Sequence, residues 1–586
     1  MASESPDKQL TKMRHSAAHL LAAAILELRP DAKPSIGPAI ENGFYYDFDF
    51  GNTPLSEEAL PAIEEKMREL LPQWTNFSHR EISAEDAREL FADNPYKLEL
   101  IDEIVGKDET ITLYTAGELT DLCRGGHVDN PSEELGAFKL LSLAGAYWRG
   151  DESKPMLTRI YGLLFPTDDE LKAHLTMLEE AKARDHRTLG QELDLFTFSP
   201  LVGPGLPLFT PRGTAIRREL QGFLDELQVP RGYAPVVIPH LAKAALYKTS
   251  GHWDKFKDNL FHVRGRGVDT FVLKPMNCPH HTQIYAAQLR SYRDLPLRFM
   301  ESTAVYRDEQ AGELLGLTRV RSITQDDAHV FCRPDQIEHE VAMILEIIQQ
   351  FYAAFDFSLA VHLSVRDPKT PDIYLGDDAV WQTAEDSLAA ALDMAGLMYV
   401  RDEGEAAFYG PKIDFIATDA LARRWQLATV QLDFVMPQRF ALSYIDENGT
   451  KQVPVMIHRA ILGSFERFLA VLLEHFAGRL PLWLSPVQAA VLPISDEQVL
   501  FASQVVGDLL AAGVRAEIDD RAGSVGKKIR HAESMRVPVI LVVGKREAAE
   551  GSVSVRSMGK DHGVRTIAVA VKEISAAAAE RRVAAF

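Results

Sequence analysis

The chain has 586 residues, 46% hydrophobic and 25% charged, which at roughly 100–200 residues per domain predicts three or four domains with cores of their own. No apolar run approaches the roughly 20 residues of a membrane span, and residues 1–10 hold no apolar signal core, so a cytoplasmic location and no membrane partner are expected. Three scattered cysteines (Cys123, Cys278, Cys332) argue against a disulfide framework, and a net charge of −21 disfavours nonspecific nucleic-acid binding, so any such contact needs local basic clusters.

Met13, Ala17, Leu20, Leu21, Ala24 and Leu28 recur at helical spacing and predict an amphipathic helix. A strand is expected at 44–48 (FYYDF) and a helix at about 56–71. Residues 171–190 are charged and helical, without a strand signal, and are expected to be a connector. From Asp194 the texture changes. Gly203, Pro204, Gly205 and Pro207 crowd a loop, a helix follows over 213–227, and strands alternate with helices to about Trp483. After Pro486 come strand VQAAVLPI, a helix over 496–513, strand VRAEID, a helix over 526–535 and strand VPVILVVG. That order predicts a small α/β domain with a largely parallel sheet. The alanine-rich tail, 574–585, reads as helical. No internal repeat and no low-complexity block is present.

No phosphate loop is found, because Gly523, Gly526 and Lys527 have the wrong spacing. A nucleotide would have to be held by arginines and metal ions instead. Cys278 (in KPMNCPHH), His329 (in TQDDAHVF) and His458 (in PVMIHRAILG) are potential metal ligands in three separate segments. No pair has zinc-finger spacing, so packing or surface roles stay open. Arg307, Arg319, Arg321 and Arg467 attend the same segments. Buried, they would suit an anion such as triphosphate; otherwise they are solvated or paired with carboxylates.

These segments resemble the three signature motifs of class II aminoacyl-tRNA synthetases: RGYAPVVIP as motif 1, YRDE with Arg307 and Glu309 as motif 2, and HRAILGSFERF with Arg467 as motif 3. KPMNCPHH, GLTRVRSITQDDAHVF, AFYGPKIDF, WQLATVQLDF and MIHRAILGSFERF together are narrower, and resemble the threonyl-tRNA synthetases in order and approximate spacing from about Lys8 to the C-terminus. The resemblance implies an α+β and α/β multidomain chain: an α+β editing domain (1–170), a helical connector (171–190), a class II catalytic domain with an antiparallel sheet and helices (191–484), and an α/β anticodon-binding domain (485–586). It also implies a homodimer built on motif 1, with ATP, L-threonine and tRNA(Thr) as partners.

By the same resemblance Arg307 stabilises the α-phosphate, Glu309 positions adenine, and Arg319 and Arg467 hold the β- and γ-phosphates with Mg2+. Cys278, His329 and His458 hold one Zn2+ per subunit and leave a position open. Asp327 accepts from the threonine hydroxyl, Gln325 and Tyr409 contact the amino acid's polar head, and Lys412, Gln426, Thr429, Gln431 and Ser464 line the pocket. Thr429 and Ser464 also read as ordinary strand polar residues. Valine lacks only the hydroxyl, and a site that must be satisfied by that hydroxyl rejects it by roughly 10⁴–10⁵. Serine keeps the hydroxyl and loses one methyl, worth only about 10–200-fold, so a second sieve is expected.

His15 and His19, four apart, together with Asp121, Cys123 and His127 of DLCRGGH, have metal-like spacing. They resemble the editing domain shared with alanyl-type synthetases, with Lys97 and Tyr114 as its further polar residues. In the threonyl branch such residues act on water without a metal, so zinc is not assigned there. Glu547 and Arg556 match anticodon-reading positions; Lys527, Lys528 and Arg530 would meet phosphates or form a solvated helix face. Two departures from the family stand out. Its ubiquitin-like first domain is absent, and Arg521 is followed by Ala522, Gly523 and Ser524 rather than Asn-Glu-Lys, which leaves Ala522 without a role. A non-catalytic RNA-binding regulator or a free-standing deacylase would have lost motif arginines or the three metal-type ligands, and all of these are present.

Overall fold

A computed structural model describes residues 6–151, 153–267 and 269–586. It divides into two compact units, Met1–Glu179 and Glu180–Phe586. The boundary falls inside helix Asp168–Ala183. A second helix, His186–Glu192, begins after a break at which the Asp185 side chain accepts from Arg187 N.

In the first unit, helix Pro6–Leu28 is enclosed by helix Leu60–Leu70 and a five-stranded sheet whose main path runs Lys33–Pro34, Gly43–Asp49, Met156–Phe165, Ala137–Tyr147. It is not amphipathic as expected. From Met13 to Ile25 it is buried on nearly every side, because Ala17, Ala18, Ala22, Ala23 and Ala24 let neighbours approach all round, while Leu28, expected on the apolar face, is exposed. A separate sheet of Ser78–Ile82, Ile111–Ala116 and Leu119–Leu122 carries Tyr114 and Asp121.

The second unit is built on an eight-stranded sheet in the order Ala234–Pro235, Leu297–Tyr306, Ser322–Cys332, Val455–Ala460, Arg424–Asp433, Lys412–Thr418, Ser358–Val365, Tyr399–Glu403. The two outermost pairs are parallel and all others antiparallel. Period-2 alternation separates its faces. Ala328, Val330, Cys332, Val455, Ile457, Ala428, Val430, Leu432, Ile413 and Phe415 enter a large core with helices Pro211–Gln228, Ile337–Ala353, Asp378–Met394 and Phe465–His475. The alternate residues, among them Asp327, His329, His458, Gln431 and Lys412 together with the apolar Phe331 and Met456, take the opposite face.

The C-terminal sheet runs Ala516–Ile518, Ala489–Pro493, Val539–Val543, Ser552–Ser557, Lys560–Thr566. Its first three strands are parallel, but the last two are antiparallel, so the expected largely parallel sheet is mixed. The departure is a hairpin whose two turn residues, Met558 (φ 50°) and Gly559 (φ 77°), both adopt left-handed geometry. The final helix spans Ile567–Ala579, earlier than expected; it ends before Arg581, which sits at φ 52°.

Candidate active and editing sites

On strand Ser322–Cys332 the odd positions Gln325, Asp327 and His329 share one face. Antiparallel register sets His329 opposite His458, His458 opposite Gln431, and Gln431 opposite Lys412, in one row across four strands. Cys278, the first residue of helix Cys278–Ala286, packs on this face with Phe299, Phe331 and Met456. The ligand atoms of Cys278, His329 and His458 lie within 4.8 Å of one another, and all three residues are buried. They are close enough together to hold one metal ion, and a Cys-His-His donor set suits zinc.

The surrounding contacts fit that ion. His458 Nε2 lies 2.9 Å from Asp433 Oδ2, and Asp433 Oδ1 accepts from Val435 N and Met436 N, so the carboxylate is an acceptor and His458 Nδ1 keeps its lone pair. His329 Nδ1 lies 2.8 Å from His281 Nδ1, which leaves Nε2. Burial pushes the Cys278 thiol well up, so without a cation the sulfur stays protonated. Asp327 accepts from Asn277 Nδ2 at 3.0 Å, and burial raises its carboxyl to about 6.

The other expected pocket residues gather around a carboxylate absent from the sequence reading, Asp414. It is buried and accepts from Gln426 Nε2 (2.5 Å), Thr429 Oγ1 (3.1 Å), Ser364 Oγ (2.8 Å) and the Lys412 ammonium. Strict alternation would turn Gln426 away from Thr429. A β-bulge between Phe415 and Ile416 re-aims it, and Leu427 joins Ala428 in the core. Tyr409 donates to Gln431 Oε1 at 2.5 Å. Ser464 is not a strand residue: it caps helix Phe465–His475, accepting from Arg467 N at 3.1 Å.

The arginines differ from one another. Arg307 is half-buried over the Phe256 ring, and burial lowers its pKa, opposed by Glu309 and reinforced by Arg467. Arg467 is exposed and donates through Nε to Thr318 O. Among the described residues neither has a carboxylate partner. Arg319 is exposed and paired with Glu309 (2.8 Å) and Glu313 (3.0 Å), and Arg321 donates to Glu309 O. Of the two readings left open for these arginines, partial burial applies to Arg307 and pairing with carboxylates to Arg319. The sequence reading also missed His252. It is 1% exposed, with Nδ1 2.8 Å from Ser250 Oγ and Nε2 3.7 Å from Cys278 Sγ, and its only signal was a histidine following Gly251, a residue held at φ 87°.

In the first unit, His15 and His19 stand on helix Pro6–Leu28 with ring centroids 5.1 Å apart. The Cys123–His127 loop reaches them through Gly125 (φ 90°) and Gly126 (φ 87°). Any side chain at Gly125 would meet Tyr114 OH at 2.5 Å, so the turn and the tyrosine both demand glycine. Cys123 Sγ lies 3.2 Å from His127 Nε2 and 3.7 Å from His15 Nε2. Lys97, on helix Pro95–Gly106, is 2% exposed and paired with Asp121, whose other oxygen accepts from Tyr46 OH. Burial depresses all three imidazoles, His127 to about 2, and raises Cys123 to about 11, so the cluster is neutral at pH 7. A cavity of about 500 Å³ opens beside it.

In the C-terminal sheet domain, Glu547 accepts from Gly544 N at 3.0 Å, and Arg556 lies on strand Ser552–Ser557 with its Nε buried and without a partner among the described residues. Lys528 is not part of a solvated or phosphate-facing run. It is buried and donates to Pro493 O, while Lys527 and Arg530 are exposed. Arg521 is paired with Asp519, and Ala522 is exposed.

Comparison with known proteins places this geometry. Residues 261–476 match the tRNA synthetase class II core domain (G, H, P, S and T), 488–581 the anticodon binding domain, and 111–161 the threonyl and alanyl tRNA synthetase second additional domain. The chain is 50% identical over 562 residues to the threonine–tRNA ligase of Rubrobacter xylanophilus, covering 96% of this chain and 87% of that one. It belongs to the threonyl-tRNA synthetase family. It is also 48% identical to the threonine–tRNA ligase of Gloeobacter violaceus, over 99% of this chain and 94% of that one. A crystal structure of the RNA binding domain of threonyl-tRNA synthetase from Cryptosporidium parvum Iowa II aligns with TM-score 0.64 and 39% identity, covering 67% of this chain and 98% of that one. The chain is thus an aminoacyl-tRNA ligase with a class II core, an anticodon-binding domain and an editing-type domain.

Proposed function

We propose that the chain activates L-threonine with ATP and magnesium, transfers it to tRNA(Thr), and hydrolyses mischarged seryl-tRNA(Thr) in its first unit. One observation carries the reading of the active site: three buried metal-type donors from three separate elements meet beside Asp327 on one sheet face. Cys278, His329 and His458 would hold a zinc ion. When bound, it would supply an open Lewis-acidic position for the amino and hydroxyl groups of threonine.

The chain's own side chains do the rest. Asp327 accepts from the threonine hydroxyl, and Gln325 and Tyr409 orient the polar head. Asp414 fixes Lys412, Gln426 and Thr429 as the pocket wall, with Gln431 held by Tyr409. Arg307, without a carboxylate partner among the described residues, stabilises the charge that grows on the α-phosphate as the threonine carboxylate attacks. Arg467 and Arg319 hold the outer phosphates, and Glu309 positions adenine. Motif 1 makes a homodimer, for which the exposed Val229, Val237 and Leu241 beside strand Ala234–Pro235 offer apolar surface. Glu547 and Arg556 read the anticodon. Among the described residues no helix is long and apolar enough to cross a membrane, and the cytoplasm is the proposed location.

Pyrophosphate exchange with threonine, serine and valine tests the reading. Threonine should exchange fast, serine measurably, and valine at background. Valine exchanging as well as serine would defeat the hydroxyl-demanding pocket.

A further inference from the structure

Away from both sites, Asp185, His186 and Glu474 bring a third set of donors together. Hydrogen bonds already use both nitrogens of His186. Nδ1 lies 2.6 Å from Glu474 Oε1, and Nε2 accepts from Leu317 N at 3.0 Å. Accepting at Nε2 puts the ring proton on Nδ1, where Glu474 takes it. No lone pair is left for a metal. The imidazole is 3% exposed and spans helix His186–Glu192, helix Phe465–His475 and the loop before strand Ser322–Cys332.

That loop makes a tight turn over 315–319, closed by Thr318 N to Leu315 O and by the Leu315–Arg319 bridge. The turn carries Arg319, and its Thr318 carbonyl accepts from Arg467 Nε at 3.2 Å. Leu317 N, one residue before that carbonyl, is the amide bound by His186. Gly316 sits at φ 49°, and a Cβ there would come 2.2 Å from His186 Nε2, so the ring and the turn are fitted to each other. On its far side Glu474 is held by Arg423, which also binds Asp419. The far end of the brace is thus tied to helix Phe465–His475, which carries Glu474, and to the turn between strands Lys412–Thr418 and Arg424–Asp433, which carries Asp419 and Arg423.

We propose that His186 is a positioning residue for ATP: by holding Leu317 N it fixes the turn that sets the guanidinium groups of Arg319 and Arg467. The proposal rests on the reading of those arginines as phosphate ligands. Two substitutions separate its two contacts. In His186→Asn the amide can replace Nδ1 and keep Glu474, but cannot reach Leu317. In His186→Gln the side-chain oxygen can replace Nε2 as the acceptor for Leu317 N.

Pyrophosphate exchange on the full chain reads the effect. H186N should raise KM for ATP roughly three- to tenfold, the worth of one hydrogen bond, with KM for threonine within twofold. H186Q should keep KM for ATP within twofold of the parent. Hydrolysis of preformed seryl-tRNA by the first unit should be unchanged in both, as a control for folding. The proposal is overturned if H186N leaves KM for ATP unchanged, if both variants raise it equally, or if KM for threonine rises alongside. Arg467→Ala, measured in parallel, tests the underlying reading alone. Unimpaired ATP use there would remove the phosphate role whatever His186 does, whereas an impaired R467A with a silent H186N would remove only the brace.

Discussion

His458 Nε2 and Asp433 Oδ2 lie 2.9 Å apart, with Asp433 wholly buried and His458 6% exposed. With Asp433 as acceptor the proton sits on Nε2, and Nδ1 would be the nitrogen offered to a metal. Such supporting partners are typically worth 10–100-fold in metal affinity. Asp433→Asn retains an oxygen to accept from Val435 N and Met436 N, so the fold should survive. Competition with a chromophoric chelator should then show zinc bound about 10–100-fold more weakly. Affinity within twofold of the parent would mean that Asp433 merely caps helix Val435–Arg439.

Among the described residues Arg307 has no carboxylate to release before it can meet a phosphate, whereas Arg319 does. Arg307→Ala should therefore lower the rate of adenylate formation far more than it raises KM for ATP, because the interaction strengthens only as charge develops in the transition state. Binding of tRNA should stay near the parent value. An unchanged exchange rate would show that the guanidinium serves the Phe256 stack and nothing else.

Arg556 gives the cleaner test of the C-terminal sheet domain. Glu547→Ala also removes the acceptor for Gly544 N, a hydrogen-bond loss of about 0.5–1.5 kcal/mol, so weaker charging there would have two causes. Arg556→Ala should reduce aminoacylation of tRNA(Thr) and spare the ATP–threonine exchange. With so acidic a chain, the salt slope of tRNA binding should be modest, reflecting few phosphate contacts. Equal loss in both half-reactions would point to misfolding instead.

The family resemblance, not spacing, named the residues of the candidate active site, and strand alternation is what brings their separate segments together. Gln325, Asp327 and His329 differ by two, and His458 needed only antiparallel register to face His329. Asp414 and Asp433 were not readable as organisers. A buried aspartate looks like any other in sequence, and the bulge that turns Gln426 toward Asp414 leaves no composition signal. The terminal hairpin escaped for a related reason, since Met558-Gly559 is not one of the usual Asn-Gly or Asp-Gly turn pairs. The first helix misled in the opposite direction. Its apolar stripe was real, but alanines on its other faces are as compatible with burial as with exposure.

Three neutral histidines packed together make the first unit sensitive to acid. Burial, with repulsion from His19 and His15, depresses His127 to about 2, against about 6.5 in an unfolded chain. Below pH 6.5 the unfolded state takes up a proton that the folded state refuses. Stability present above that pH is therefore lost as pH falls, by about 1.4 kcal/mol per pH unit for each such histidine. His127→Gln lacks this term. Hydrogen exchange of helix Pro6–Leu28 in the full chain should show the parent's advantage over H127Q shrinking by about 2 kcal/mol between pH 6.5 and 5. A difference independent of pH would mean that His127 ionises normally.

The same histidines carry the last prediction. A hydroxyl-demanding pocket cannot exclude serine, because the penalty for one missing methyl is too small. A second pocket that admits serine and rejects threonine by size completes the discrimination. The first unit offers the candidate for it: a cavity of about 500 Å³ bordered by His15, His19, Lys97, Asp121 and Cys123. His15 and His19 are neutral, so they can accept a proton from water as it attacks the ester. On the proposed reading Lys97, fixed by Asp121, would supply positive charge near the developing oxyanion. Changing His15 and His19 together to Ala should leave threonine activation and charging near normal, since the active site lies in the other compact unit. Clearance of preformed seryl-tRNA(Thr) should fall by at least about 10², the usual worth of a positioned base. Because His19 is buried, its loss could loosen the helix, so Lys97→Met serves as a second variant that leaves both histidines in place. If both proteins clear the seryl ester as fast as the parent, the cluster is helix packing and the hydrolytic site lies elsewhere.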